Sequence, residues 1–274
     1  MRMRAAMLVF RKDWREIRRN WQILLPIVAV PILISVVLPT IIIVTPSLSS
    51  ISGPPLEDST SMMRNLPSQV REELVGMNAW QALVYVMSLY FFAPFFLIIP
   101  LMASSVIASD SFAGEKERKT IEALLATPLS DSELLLGKML VSFVLSMIVT
   151  WVSFTVYSII IDLFSSPLFG GRLLLPNLVW TLLIFGVAPT IALAGIGLTV
   201  MISARVKGFR EAQQISAILL IPILMLVLGQ VSGAIVFGPI VVSALIGVFV
   251  VVDLLVFYFA VKIFKREELL SRLP

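Results

Sequence analysis

Six stretches of this chain are apolar over lengths suited to crossing a bilayer, and they limit its fold more than anything else in it. They run over residues 23 to 44, 81 to 108, 134 to 163, 177 to 202, from near Ile215 to near Leu228, and 240 to 261. A backbone inside hydrocarbon must satisfy its own N–H and C=O groups, so each stretch is predicted to be a helix. A hydrophobic fraction of 58% and a mean hydropathy of +1.00 leave little chain for a soluble domain. The expected fold is all-α, with six transmembrane helices in one domain.

The long charged interruption, residues 110 to 138 (DSFAGEKERKTIEALLATPLSDSELLLGK), falls between the second and third stretches. Its six acids and four bases cannot sit in hydrocarbon, so it is expected to face water. Read at helical period, Glu115 to Ala126 puts Ile121, Leu124 and Leu125 on one side and Glu115, Arg118, Lys119 and Glu122 on the other. That pattern predicts a short amphipathic helix after Gly114, stopped by Pro128. Ser130 and Glu133 have the spacing of a capping box that opens the next helix. Glu117 breaks the pattern: it falls on the apolar side, where a carboxylate needs a partner.

The run Gly114-Glu115-Lys116-Glu117, with Thr120, Glu122, Leu124-Leu125, Thr127-Pro128, Ser130 and Gly137-Lys138, resembles the cytoplasmic-loop signature of type-2 ATP-binding-cassette (ABC) exporter permeases, and most closely the sodium-efflux branch. The resemblance covers about a tenth of the chain. It implies a coupling helix between spans 2 and 3 that docks on a separate ATPase subunit, with Glu115, Glu117, Thr120, Glu122, Thr127 and Pro128 as the docking residues. It also implies two permease subunits, identical or different, above two ATPase subunits that bind the ATP and Mg. Without the resemblance, the same residues read as a solvated, self-paired helix on the membrane surface.

Residues 1 to 20 hold seven Lys or Arg, and Met7, Phe10, Trp14, Ile17 and Trp21 recur at helical spacing. This predicts a basic interfacial elbow helix over 1 to 21 that contacts membrane lipid. A cleaved signal peptide is the rival; the spanning run that follows, without a small-x-small cleavage site, argues against it. Spans 1 and 2 then occupy 22 to 109 around an outer loop at 46 to 79, with a short helix expected over Ser68 to Met77. The coupling loop is placed at 110 to 134, spans 3 to 6 at 135 to 264 and a tail at 265 to 274. With the N-terminus inside, the inner segments carry 18 of the 21 Lys and Arg. The positive-inside rule then predicts a cell-membrane protein with both termini and the 110 to 138 loop in the cytoplasm.

No cysteine and no histidine occur, which excludes disulfides, thiol nucleophiles, imidazole bases and the common zinc and haem ligands. No phosphate-binding loop, HExxH or Gly-x-Ser-x-Gly pattern is present, so no enzymatic centre or cofactor is expected in this chain, and the net charge of +4 reflects topology and lipid rather than nucleic acid. Two acids enter the spans. Asp253 lies within the sixth and Asp162 near the outer end of the third. A carboxylate at mid-bilayer costs roughly 2.5 to 3.5 kcal/mol on insertion scales, so each needs a partner, water or a translocation path. The candidate substrates are sodium or another small cation, or an antimicrobial peptide, drug or lipid. An ATP-independent secondary transporter or channel, for which the two aspartates are the working parts, and a nontransporting membrane anchor are the rival functions.

Overall fold

The computed structural model describes residues 3–48, 68–120 and 130–263. Every regular element among them is helical. Six helices are long and apolar enough to cross a membrane: span 1 (Trp21–Ile43), span 2 (Trp80–Glu117), span 3 (Glu133–Ser165), span 4 (Leu178–Ser203), span 5 (Phe209–Val231) and span 6 (Pro239–Phe259). The all-α, six-span expectation is met. Three boundaries are not those expected. Span 2 continues through Asp110, Gly114 and Glu115 to Glu117, because the charges that a hydropathy reading takes for a loop are buried there against partners. Span 5 begins before Ile215, since a helix opens at Phe209. The outer helix is shorter than expected, Ser68–Glu73.

Prolines shape the spans through π-helical turns. One such turn, Leu33–Val37, lies between Pro31 and Pro39, a second, Met87–Phe91, precedes Pro94, and a third, Leu183–Val187, precedes Pro189. A proline ring crowds the preceding turn and supplies no N–H, and the wider π turn relieves both problems without ending the helix. The carbonyls left over find other donors. Pro94 has no N–H for the Tyr90 carbonyl four residues back, and Gln230 Nε2 of span 5 donates to it at 2.6 Å. Nor can Pro94 serve the Leu89 carbonyl five back, which accepts from Trp180 Nε1 at 3.0 Å; Tyr157 Oη donates to the Ser88 carbonyl at 2.7 Å. Trp180 stacks on Phe154 and Tyr157, with Phe96 edge-on at 5.2 Å. These rings belong to the larger core, to which all six spans contribute.

Span 4 packs through its small residues. A Cβ on Gly195 would lie 2.8 Å from Leu101 Cδ1 of span 2, and one on Gly197 or Gly186 would lie 2.3 Å from Val256 Cγ1 or Ile246 Cδ1 of span 6. Close approach of this kind is how helices associate where lipid offers no hydrophobic contrast. Ser130 and Glu133 form the expected capping box at the start of the helix Asp131–Ser165.

The N-terminal helix, Met3–Ile17, lies across the ends of spans 2 and 3. Its buried residues are Ala6, Val9, Asp13 and Ile17, whereas Met7 and Trp21 of the expected apolar stripe are exposed. The helix therefore has two apolar faces. One seats on the protein, and the other, with Met7 and Leu8, is free to meet lipid, as is Trp21 at the start of span 1.

Candidate functional site

The charged residues gather at one end of the molecule, around Lys138. Its ammonium group, 1% exposed, donates to Glu115 Oε2 at 2.6 Å and to the Ser111 carbonyl, lies 3.6 Å from Asp13 Oδ2 and sits 5.4 Å above the Phe112 ring. Lys12 bonds the other oxygen of Glu115 and lies 3.4 Å from both Asp13 and Glu16. The network thus joins three elements: the N-terminal helix, the end of span 2 and the beginning of span 3. Gly137 makes this geometry accessible, because a Cβ there would lie 2.7 Å from the Ala6 carbonyl and hold the N-terminal helix away.

Burial and pairing oppose one another in this cluster. Burial is the larger influence on Asp13 and, despite the nearby Lys138 ammonium, holds its carboxyl above the ordinary range. Burial disfavours the charge on Lys12 as well, but the hydrogen bond and charge of Glu115 outweigh it and raise Lys12 above an ordinary lysine. Asp13, Glu16 and Glu115 present oxygens close enough together to bind a cation. The two ammonium groups already occupy the space between them, so the cluster is an internal salt network.

Beyond Glu115 the chain makes a second set of contacts. Asp110, buried, takes two hydrogen bonds from Arg118 at 2.9 and 3.4 Å, and Gly114 lies beneath them. Helix Glu115–Glu117 then ends in a Schellman arrangement: Thr120 N bonds the Glu115 carbonyl at 3.0 Å and Lys119 N bonds the Lys116 carbonyl at 3.2 Å. Lys119 takes the left-handed conformation, φ 57°, that glycine usually supplies. The helix expected over Glu115 to Ala126 ends at Glu117, and residues 121 to 126 of that expectation lie outside the described residues. Glu117 has the partner its position demanded, since its Oε2 accepts from the Phe209 backbone N–H at 2.9 Å.

Of the residues expected to dock an ATPase, Glu115 is 1% exposed and paired with Lys12 and Lys138. Thr120 is exposed at the end of the described segment. Glu122, Thr127 and Pro128 lie outside the described residues. Asp162 Oδ1 accepts from the Leu174 and Leu175 backbone N–H groups at 2.8 and 3.1 Å and so secures the turn after span 3. Asp253 stands on the face of span 6 that carries Phe249 and Val256 toward the protein. Its Oδ1 is buried with no hydrogen-bond partner among the described residues.

Lys138, Lys12 and Asp13 escape a reading of the sequence by segments, because each acquires its role from residues far away in the chain. One signal was available. Asp13 interrupts the stripe Ala6, Val9, Ile17 as Glu117 interrupts its own, and a lone acid on an apolar helical face marks a buried partner.

Comparison with curated proteins yields no match. The model of the family described as ABC-2 family transporter protein matches residues 7–238, which takes in most of the N-terminal helix, the charged network and spans 1 to 5. With six apolar helices and that match over most of its length, the chain belongs to the ABC-2 family of membrane transporter permeases.

Proposed function

We propose that this permease is the transmembrane subunit of an ATP-driven exporter, coupled to separate ATPase subunits through the loop between spans 2 and 3. The observation that carries the coupling is the rooting of that loop. Both of its ends are held by the Lys138–Glu115 pair, and the N-terminal helix is tied into the same pair. A load applied at Thr120, Glu122, Thr127 or Pro128 is delivered to span 2, span 3 and the N-terminal helix together. ATP, with Mg, is bound by the partner subunits; ATP binding shifts the membrane part between states only to the extent that the docked loop differs between them.

The excess of Lys and Arg at this end supports a cytoplasmic placement for the loop and both termini. Two permease subunits, the same or different, would enclose the pathway. Sodium or another small cation is the substrate to test first, since Asp253 offers a buried, unbonded carboxylate oxygen among the described residues. That reading follows the resemblance to sodium-efflux permeases.

Affinity purification of the tagged chain from its native membranes, with mass spectrometry of stoichiometric companions, tests the coupling. A soluble subunit bearing a phosphate-binding loop, lost when Thr120 and Glu122 are both replaced by Ala, is the expected result. Purification of the chain alone, under conditions that keep other membrane complexes whole, would overturn it.

A further inference from the structure

Two consecutive residues of the charged loop reach the connection between spans 4 and 5. Lys116 Nζ donates to the Val206 carbonyl at 3.0 Å and the Ala204 carbonyl at 3.4 Å. These carbonyls follow the last turn of span 4, whose final α-helical segment is Ala188–Ser203, where the helix dipole favours a cation. Glu117 Oε2 accepts from Phe209 N, the first residue of the next helix, Phe209–Ser216. That helix has Gly208 at its N-cap and no side-chain cap of its own, so a carboxylate from 92 residues away does the work of a capping Ser or Asp. Gly208 is also where the fit is closest, because a Cβ there would stand 2.7 Å from Glu117 Oε2.

We propose that Lys116 and Glu117 form an internal clamp that fastens the end of span 2, where the charged loop begins, to the connection between spans 4 and 5, and that Glu117 is a positioning residue rather than a contact to a partner. Each residue carries the sign that its helix end attracts. Movement of one loop is passed to the other, which brings spans 4 and 5 into any displacement of span 2. The mechanical consequence rests on the coupling proposed above; the clamp itself does not.

The clamp is tested on the purified permease alone, in detergent, by hydrogen exchange across residues 204 to 216. Glu117→Ala is expected to speed exchange of the Phe209 amide about five- to tenfold, the usual consequence of losing a cap. Glu117→Gln keeps a carbonyl oxygen for that amide and should stay near the parent. Gly208→Ala is a second probe: Gly208 has an extended backbone, φ −158°, that alanine accepts, so its added methyl acts through Glu117. It should speed exchange in the parent and add nothing to Glu117→Ala.

Unchanged exchange in a folded Glu117→Ala, or equal effects of Gly208→Ala in both backgrounds, would overturn the clamp. If Glu117→Ala does not fold, Gly208→Ala in the parent decides, and unchanged exchange there overturns it. Where an ATPase subunit co-purifies, Glu117→Ala should retain it within about twofold; its loss would make Glu117 a docking residue. Failure to find any ATPase bears on the proposed function and leaves the exchange result standing.

Discussion

The charged end of the molecule and its aromatic centre bury polar groups by opposite means. At the charged end, Asp13, Glu115 and Lys138 are almost fully enclosed across three elements; Lys138 bonds Glu115 and lies 3.6 Å from Asp13, whose Oδ2 has no hydrogen-bond partner among the described residues. In the aromatic centre Tyr157 and Trp180 are fully enclosed, but their donors are neutral and their acceptors are backbone carbonyls of span 2. In the first region each group depends on the presence of another charge; in the second, ring packing provides the stability and the hydrogen bond adds orientation. A charged network fails as a unit when one member is lost, whereas a packed ring cluster degrades in small steps.

Lys138→Met breaks this contrast most severely. It leaves Glu115 and Asp13 facing one another with only Lys12 nearby, and removal of one partner from a buried pair costs about 3 to 5 kcal/mol. The expected result is a large fall in melting temperature in detergent, or loss of folded protein. Glu115→Gln in the same chain should restore part of the loss, since an amide tolerates the site without a counter-charge. If the single substitution is silent, the network does not hold these elements together.

Trp180→Phe and Tyr157→Phe sharpen the other side. Tyr157→Phe keeps the ring and removes one donor; Trp180→Phe also trades the indole for a smaller ring, and each leaves a carbonyl of span 2 unserved. The cost should be about 1 kcal/mol for Tyr157→Phe, several times less than for Lys138, and larger for Trp180→Phe, which opens a cavity as well, measured by thermal or denaturant unfolding. A loss in Tyr157→Phe equal to that of Lys138→Met would show that the aromatic centre, too, depends on its polar bonds.

The two regions also differ in how legible they were. The six spans could be read because every span must be continuously apolar, and the Ser130–Glu133 capping box because its partners are three residues apart. The misplaced Glu117 was visible as an anomaly, although Phe209, which resolves it, was not. The salt network was not legible, since Lys12 and Glu115 are 103 residues apart and charge in a sequence reads as solvent exposure. The same assumption ended span 2 too early. The break at Lys119 carried no signal because lysine stands where glycine would announce the turn.

Acidity separates the regions again. With its carboxyl held above the ordinary range by burial, Asp13 keeps its proton in the folded chain at pH values where the unfolded chain has released it. Stability contributed by Asp13 is therefore greatest below the ordinary carboxylate range and declines as pH rises to the raised value. Asp13→Asn removes that decline, so the variant should gain on the parent in melting temperature as pH rises through the window above the ordinary carboxylate range. Trp180→Phe and Tyr157→Phe should follow the parent at a constant offset across that window. Parallel pH profiles for Asp13→Asn and the parent would show that Asp13 is charged in the fold.

The smallest expected effect tests the origin of the polar bonds in the aromatic half. Gln230 Nε2 serves the Tyr90 carbonyl because Pro94 cannot. Pro94→Ala gives residue 94 an N–H, and the helix can then close its own bond to Tyr90. Gln230→Ala in the parent should cost about 0.6 kcal/mol, the average for an interhelical bond within a bilayer. In the Pro94→Ala background it should cost less, because the carbonyl no longer needs an outside donor. A double-mutant cycle of the four chains measures the difference. Full additivity would mean that the π turn at Met87–Phe91 persists without its proline and that packing in spans 2 and 5 keeps the Tyr90 carbonyl pointed outward. A positive coupling would place the cause in Pro94, so that one residue lacking a donor ties span 2 to span 5.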